Sequence, residues 1–162
     1  MTIKNIIFDW DGTLAKTLDL WLAGFQKSFH QRNMSFEPRE IVTQFFQDHH
    51  LVPDRFPDLD FPNIAAEARA HVLQSVASVD LYDGAHDALH ELRDAGVTVS
   101  LVTSSPRALL STGLGTHGLD DFFASTIAGD DGYGHKPEPL PFRATLDRVG
   151  MDASETLIIG DS

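Results

Sequence analysis

The chain has 162 residues, a formal net charge of −12 and no cysteine. This length suits one typical domain with room for a small insertion, and a composition that is 42% apolar predicts a globular protein. The negative charge argues against nucleic acid or an anionic membrane as a partner, because both bind clustered Lys and Arg. The absence of cysteine excludes disulfides, thiolate metal sites and cysteine nucleophiles.

The apolar stretches of the chain are short. The N-terminal one is too short for a secretion signal, and no window approaches the roughly 20 apolar residues of a membrane span. We therefore expect a cytoplasmic protein.

The first predicted element is a strand, followed by helices. Residues 3–8 are apolar and rich in β-branched side chains, which is typical of a strand buried on both faces of a parallel sheet. An apolar stripe at helical spacing follows, formed by Leu18, Trp21, Leu22, Phe25 and Phe29. We expect a second helix from Pro38, a loop over 51–62, and a third helix that Asn63 caps. Residues 16–80 are thus predicted to form an all-helical insertion.

From residue 81 onwards, helices and strands alternate. Strands are predicted at 97–102, 124–128 and 156–159, and helices at 84–95, 106–116 and 140–149. In the first of these helices the side chains expected to face inward are Ala85, Ala88, Leu89 and Leu92. The pattern predicts an α/β fold with a doubly wound parallel sheet, built from residues 1–15 and 81–162 and interrupted by the helical cap 16–80. Because such a sheet normally continues with a helix and another strand, we expect further sequence after Ser162.

Polar side chains occur where predicted strands end, and in open α/β sheets the carboxyl ends of strands form the binding site. They are Asp9 and Asp11, Thr103 and Ser104, Lys136, and Asp161. One carboxylate can attack phosphorus, and a second can exchange protons with the leaving group and with water. Hard oxygen ligands suit Mg²⁺, and a lysine with a hydroxyl can stabilise phosphate oxygens. Taken singly, each feature has a plainer explanation, such as a turn, a helix cap or a solvated lysine.

Four motifs, in this order, resemble those of the haloacid dehalogenase-like hydrolase superfamily. They are FDWDGTL at Phe8–Leu14, LVTSS at Leu101–Ser105, HKPEP at His135–Pro139 and LIIGDS at Leu157–Ser162. The nearest subgroup is the phosphoglycolate phosphatase and β-phosphoglucomutase type, which has a Rossmann-like core with an inserted helical cap. The resemblance implies an Mg²⁺-dependent phosphatase that hydrolyses a small phosphorylated metabolite, a monoester, through an aspartyl-phosphate.

The resemblance also implies a role for each motif residue. Asp9 is the expected nucleophile and a metal ligand. Asp11 is the expected general acid and base, with its backbone carbonyl on the metal. Thr103, Ser104 and Lys136 are expected to bind the phosphate, and Asp161 to bind the metal. The superfamily usually has a further acidic residue a few positions later, beyond Ser162, so we expect this chain to bind Mg²⁺ more weakly than a longer relative.

Two alternatives remain open at this stage. One is a phosphosugar mutase of the same superfamily. The other is a module without hydrolase activity, either a phosphate- or metal-binding protein or a receiver-like signalling domain. A receiver carries its acceptor aspartate after a middle strand, whereas here Asp9 and Asp11 follow the first. The sequence predicts neither the substrate nor the oligomeric state.

Overall fold

The computed structural model describes residues 2–47, 51–134 and 136–161. His135 and Ser162, which belong to two of the motifs, lie outside the described residues. In chain order the elements are β1 Asn5–Phe8, α1 Leu18–His30, α2 Pro38–Ile41, α3 Val52–Arg55, α4 Phe61–Ser75, α5 Ala85–Asp94, β2 Thr98–Val102, α6 Arg107–Thr116, β3 Thr126–Ile127, α7 Leu140–Val149 and β4 Thr156–Ile159. A π-helical segment, Val42–Gln47, continues α2, and short 3-10 turns occur at Val76–Ser78 and Ala153–Glu155.

The four strands form one parallel sheet in the order β3-β2-β1-β4. All four residues of β1 are buried, as expected for a strand with a neighbour on each side. The chain runs outward from β1 to β2 and β3, and then returns to the other side of β1 with β4. The direction of strand addition therefore reverses at β1, whose carboxyl end is the usual place for a ligand in such sheets. The predicted α/β fold with a parallel sheet is confirmed.

One face of the sheet has an apolar core with α7. Ile7, Val102 and Ile127 are buried there, and Phe142 and Leu146 of α7 pack against them. Gly150 ends α7 in the left-handed conformation, with φ of 65°, as the sequence predicts for a glycine after a helix. The helix bounds predicted for 140–149 and the strand predicted for 156–159 are both confirmed.

The chain divides into two compact units. One comprises the residues up to Lys16 together with Ala77–Asp161, and the other is Thr17–Val76. The domain boundaries drawn from the sequence, after residue 15 and before residue 81, stay a prediction.

In the unit Thr17–Val76, all the secondary-structure elements of the described residues are helices, and they enclose an aromatic core. Its buried residues are Phe25, Phe29, Ile41, Phe45, Val52, Ile64 and Ala68. In α1, a Cβ atom at Gly24 would lie 2.9 Å from the carbonyl oxygen of Ala68, so a glycine there lets α1 approach the backbone of α4 closely.

Three local predictions are wrong. The segment 51–62 is not only loop, because α3 lies within it and α4 already begins at Phe61. The residue that caps α4 is Asp60, whose carboxylate accepts the N–H of Asn63, so Asn63 is the donor rather than the cap. Ala88 was expected to face inward but is exposed, since α5 buries a narrow stripe in which only Leu89 is fully buried. No helix in the described ranges combines the length and the apolar character needed to cross a bilayer.

Candidate active site

The loop after β1 is folded back on itself by backbone hydrogen bonds. The carbonyl of Trp10 accepts the N–H groups of Leu14 (3.0 Å) and Ala15 (2.9 Å), and Gly12 N–H donates to the carbonyl of Ala15 (3.0 Å). Gly12 has φ of 74°, a conformation that glycine adopts without strain. This turn places Asp9 and Asp11 together at the carboxyl end of β1.

Trp10, between the two aspartates, anchors this loop to the protein interior. Its side chain is buried, and a Cβ atom at Gly113 of α6 would lie only 2.8 Å from Trp10 Cζ2. Gly113 therefore provides the space for the indole ring in the middle of a helix. The positions of Asp9 and Asp11 depend on this contact because their backbone is continuous with that of Trp10.

The carboxylate of Asp9 is buried and has two partners. Oδ1 accepts the N–H of Trp10 at 2.7 Å, and Oδ2 accepts a hydrogen bond from Lys136 Nζ. Burial raises the pKa of Asp9 and outweighs the opposing effect of Lys136, which lowers it. Lys136 thus brings a largely buried positive charge directly onto the predicted nucleophile.

Thr103, the first residue after β2, joins the same group. Its hydroxyl donates to Asp11 Oδ2 at 3.0 Å and accepts the N–H of Ser105 at 3.0 Å. Thr103 itself is buried. The Thr103 side chain therefore connects the carboxylate of Asp11, in the loop after β1, to the turn that follows β2.

Asp161 and Ser104 lie at the same edge of the sheet. β4 pairs with β1, and Asp9 N–H donates to the carbonyl of Ile159 at 2.9 Å, which brings the two strand ends side by side. A Cβ atom at Gly12 would overlap the carboxylate of Asp161, so that carboxylate lies against the first loop. Ser104 is exposed, and its carbonyl oxygen lies against Gly129.

The predicted metal ligands at this edge are oxygen atoms. Among the described residues, no group of three or more His, Cys, Asp and Glu side chains is arranged to hold a metal ion. The candidate ligands that the sequence predicts are two carboxylates, those of Asp9 and Asp161, and the backbone carbonyl of Asp11. Such a sparse set of hard ligands fits Mg²⁺, which keeps several of its waters when it binds to proteins.

Sequence reasoning missed three residues beside the site. Arg107, at the start of α6, binds Asp131 through its side chain and Asp130 through its backbone N–H. Asp130 and Asp131 follow β3, so they are a further acidic pair at a strand end. That position could have drawn attention to them, but their partner on α6 is not evident from the sequence.

Comparison with known proteins identifies relatives along the whole chain. The sequence family described as haloacid dehalogenase-like hydrolase matches residues 6–162. Pyrophosphatase PpaX of Oceanobacillus iheyensis is 30% identical over 166 residues, which cover 100% of this chain and 76% of that protein. A Lactobacillus plantarum protein, provisionally assigned as a phosphoglycolate phosphatase, has a TM-score of 0.87 at 24% identity and covers 100% of this chain and 79% of its own. CbbY of Rhodobacter sphaeroides, solved with phosphate, has a TM-score of 0.80 at 21% identity and covers 99% and 79%. The last two comparisons establish the fold.

Proposed function

The chain belongs to the haloacid dehalogenase-like hydrolase family, and from this premise we propose that it is an Mg²⁺-dependent phosphatase of small phosphate monoesters that uses Asp9 as its nucleophile. The predictions of this family and of a hydrolase of phosphatase type are confirmed. Because the chain belongs to this hydrolase family, the receiver-like signalling domain is excluded as an alternative. The proposed nucleophile and reaction are supported by one observation: Asp9, Asp11, Thr103 and Lys136 lie together at the carboxyl end of β1.

In the proposed first step, a carboxylate oxygen of Asp9 attacks the phosphorus atom of the substrate. The bond between phosphorus and the ester oxygen breaks, and Asp11 gives its proton to the departing oxygen. An aspartyl-phosphate on Asp9 and a free alcohol result. This division replaces one difficult displacement by two easier ones.

In the proposed second step, water attacks the phosphorus atom of the aspartyl-phosphate. Asp11, now a carboxylate, takes a proton from that water, and the bond between the Asp9 oxygen and phosphorus breaks. Inorganic phosphate leaves, and both carboxyl groups return to their starting states. The hydrogen bond from Thr103 supports this role because it fixes Asp11 Oδ2 and thereby the direction of the other oxygen.

Lys136 is proposed to hold the phosphate oxygens. A chain with a net charge of −12 repels anions at long range, so a cation at the site itself is needed to admit a phosphate. Lys136 already lies against Asp9 with only 12% of its side chain exposed, which keeps its charge from being screened by water. The backbone at Ser104 is proposed to contact the same phosphate, and the Thr103 side chain is proposed to lie against it while its hydroxyl hydrogen stays on Asp11.

Asp9, Asp161 and the backbone carbonyl of Asp11 are proposed to hold Mg²⁺. When bound, the ion supplies positive charge that offsets the carboxylates and the phosphate oxygens. Burial is the main cause of the raised pKa of Asp9, and a bound cation would favour the ionised form that the nucleophile needs, which supports a need for such a cation. We also propose that the protein is located in the cytoplasm.

A second candidate substrate is pyrophosphate. The relative that is 30% identical is called a pyrophosphatase, and its alignment covers 100% of this chain. The same chemistry applies, because the leaving group would be a phosphate oxygen in place of an alkoxide.

The test is an assay of phosphate release from p-nitrophenyl phosphate and from pyrophosphate, each with Mg²⁺ and with a chelator. We expect Mg²⁺-dependent release that is lost in Asp9→Asn, purified in parallel to reveal any contaminating phosphatase. The relative rates on the two compounds choose between the substrate classes. Hydrolysis at the parental rate in the chelator or in Asp9→Asn contradicts the proposal.

A further inference from the structure

The loops after β2 and β3 approach each other closely beside the candidate active site. Gly129 N–H donates to the carbonyl of Ser105 at 2.8 Å, and Thr103 N–H donates to the carbonyl of Ile127 at 2.9 Å. A Cβ atom at Gly129 would overlap the carbonyl oxygen of Ser104. Any change in the path of one loop is therefore transmitted to the other.

Arg107 ties these two loops together with its guanidinium group. Nε donates to Asp131 Oδ1 at 3.2 Å, and Nη2 donates to Asp131 Oδ2, which makes a bidentate ion pair. The same group donates to the hydroxyl and the carbonyl of Thr126, at 2.8 and 3.1 Å. The planar guanidinium group makes several directed hydrogen bonds and therefore fixes the orientation of Asp131 and Thr126 relative to α6. A lysine ammonium group would not fix this orientation.

The backbone and the carboxylates strengthen the same connection. The N–H of Arg107, at the first position of α6, donates to Asp130 Oδ1 at 2.7 Å. Asp131 Oδ2 also accepts the N–H of Ala128 at 3.0 Å. The hydrogen bond from Arg107 holds the pKa of Asp131 below its usual value, so this carboxylate is ionised at neutral pH.

The connection continues into the site along the chain. Arg107 follows Ser105 by two residues, and Ser105 N–H binds the hydroxyl of Thr103, which in turn binds Asp11. A shift at the start of α6 would move the turn 103–105, and the Thr103 hydroxyl with it. Misplacement of a catalytic group by about 1 Å can cost roughly 100-fold in rate.

We propose that Arg107 is a positioning residue, which acts through Asp131 and Asp130 to keep the Thr103 hydroxyl aimed at Asp11. The part of this inference that concerns turnover rests on the proposed phosphatase function. The part that concerns the geometry of the turn 103–105 does not. Loss of an ion pair that only stabilises the fold would lower the melting temperature and leave both the turn and the turnover number unchanged.

The test compares Arg107→Met, Asp131→Asn and the double variant. We expect kcat to fall about 10- to 100-fold with little change in KM, and the double variant to be no slower than Arg107→Met, since both changes break one connection. Arg107→Lys should fall between the parent and Arg107→Met, because it restores charge without the fork. The matched control is Lys4→Met, which breaks an ion pair with Glu155 (2.6 Å) at the other end of β1, away from the site.

A second readout does not depend on activity. Amide hydrogen exchange of Ser105 and Gly129, which donate to Thr103 Oγ1 and to the Ser105 carbonyl, should be faster in Arg107→Met and Asp131→Asn than in Lys4→Met. The inference is overturned if these amides exchange at the control's rate, or if kcat falls no further than in Lys4→Met. If the parent releases no phosphate, the proposed function fails, and the exchange of the two amides alone decides whether Arg107 positions the turn. Should Arg107→Met not fold, Asp131→Asn and Arg107→Lys carry the same comparison.

Discussion

Thr103 Oγ1 donates a hydrogen bond of 3.0 Å to Asp11 Oδ2, although 92 residues separate the two along the chain. The sheet makes this contact possible because β1 and β2 are neighbours with their carboxyl ends at the same edge. The hydroxyl also accepts the N–H of Ser105, so its removal affects both the second aspartate and the turn after β2.

Thr103→Val tests this contact because valine keeps the branched shape and removes the hydroxyl. We expect kcat to fall roughly 100-fold, the scale seen when one positioned polar group is removed from an active site. We also expect a loss of about 1–3 kcal/mol of stability, because the buried N–H of Ser105 is left without its partner. Steady-state kinetics and denaturant unfolding measure the two effects.

Thr145→Val is the matched control for this variant. Thr145 is buried in α7, and its hydroxyl donates to the carbonyl of Pro141 at 2.9 Å within the same helix. The control should change stability modestly and leave kcat at the parental value. Equal kinetic losses in the two variants would show that Thr103 acts only through stability.

Asp11→Asn tests the proposed acid and base. Asparagine keeps the backbone carbonyl that is proposed to hold Mg²⁺ and removes only the group that carries the proton. Turnover should therefore fall by roughly 10²–10⁴-fold, while Mg²⁺ affinity measured by calorimetry stays close to the parental value. A parallel loss of metal affinity and turnover would assign Asp11 to metal binding instead.

Gly113→Ala tests the contact that anchors the first loop. The added methyl would lie 2.8 Å from Trp10 Cζ2, and overpacking of this kind typically costs about 1–3 kcal/mol. The gain in helix propensity from glycine to alanine, at most about 1 kcal/mol, offsets only part of this. We expect lower stability, measured by denaturant unfolding, and a reduced kcat because Trp10 lies between Asp9 and Asp11.

Gly115→Ala in the same helix separates these two effects. A methyl group there would lie 3.3 Å from the carboxylate of Asp120, an exposed side chain that can move aside. This variant should be neutral or slightly more stable and fully active. If Gly113→Ala behaves in the same way, the indole contact does not constrain the loop.

The ion pair between Arg32 and Glu67 predicts a pH dependence of stability. Arg32 lowers the pKa of Glu67 to about 2, and the two side chains form hydrogen bonds of 2.8 and 2.9 Å. A lowered pKa in the folded state stabilises the protein above the ordinary Glu value of about 4.3, and this contribution is lost as the pH falls toward 2. The effect should be small, because both side chains are partly exposed.

The measurement is the melting temperature of the parent and of Glu67→Gln between pH 6 and pH 2.5. The parent should be the more stable at pH 6, and its advantage should shrink through this window. In an Arg32→Met background the pH-dependent difference between Glu and Gln at position 67 should shrink, since Arg32 is the main group that lowers the pKa of Glu67 and only the hydrogen bond from Ser28 remains. A constant difference between the parent and Glu67→Gln across the range would contradict the assignment.

The elements of the fold that the sequence predicts well are those set by local patterns. The apolar β-branched run before Asp9 predicts a buried strand, and Gly150 predicts the end of α7; both are confirmed. Pro38 correctly predicts the start of α2, because proline suits the first turn of a helix. The positions of strand ends then bring Asp9, Asp11, Thr103 and Asp161 to one edge.

The features that the sequence does not predict depend on contacts between distant residues. The bidentate ion pair joins Arg107 of α6 to Asp131 of the loop after β3. Gly113 of α6 leaves space for Trp10 of the loop after β1. Both contacts join residues that are far apart in the sequence. The segment 51–62 has three prolines and still contains α3, because Val52 is buried in the aromatic core of its unit. Tertiary packing there outweighs the local preference for a loop.

The central claim is that Asp9 carries the phosphoryl group during turnover. The most direct measurement is to quench the enzyme during hydrolysis of p-nitrophenyl phosphate, reduce it with borohydride, and sequence the peptide that contains residue 9. Reduction converts an aspartyl-phosphate to homoserine, so the account predicts homoserine at position 9 only when substrate and Mg²⁺ are both present. Hydrolysis that proceeds with aspartate intact at position 9 and homoserine at another carboxylate, or at none, would contradict it.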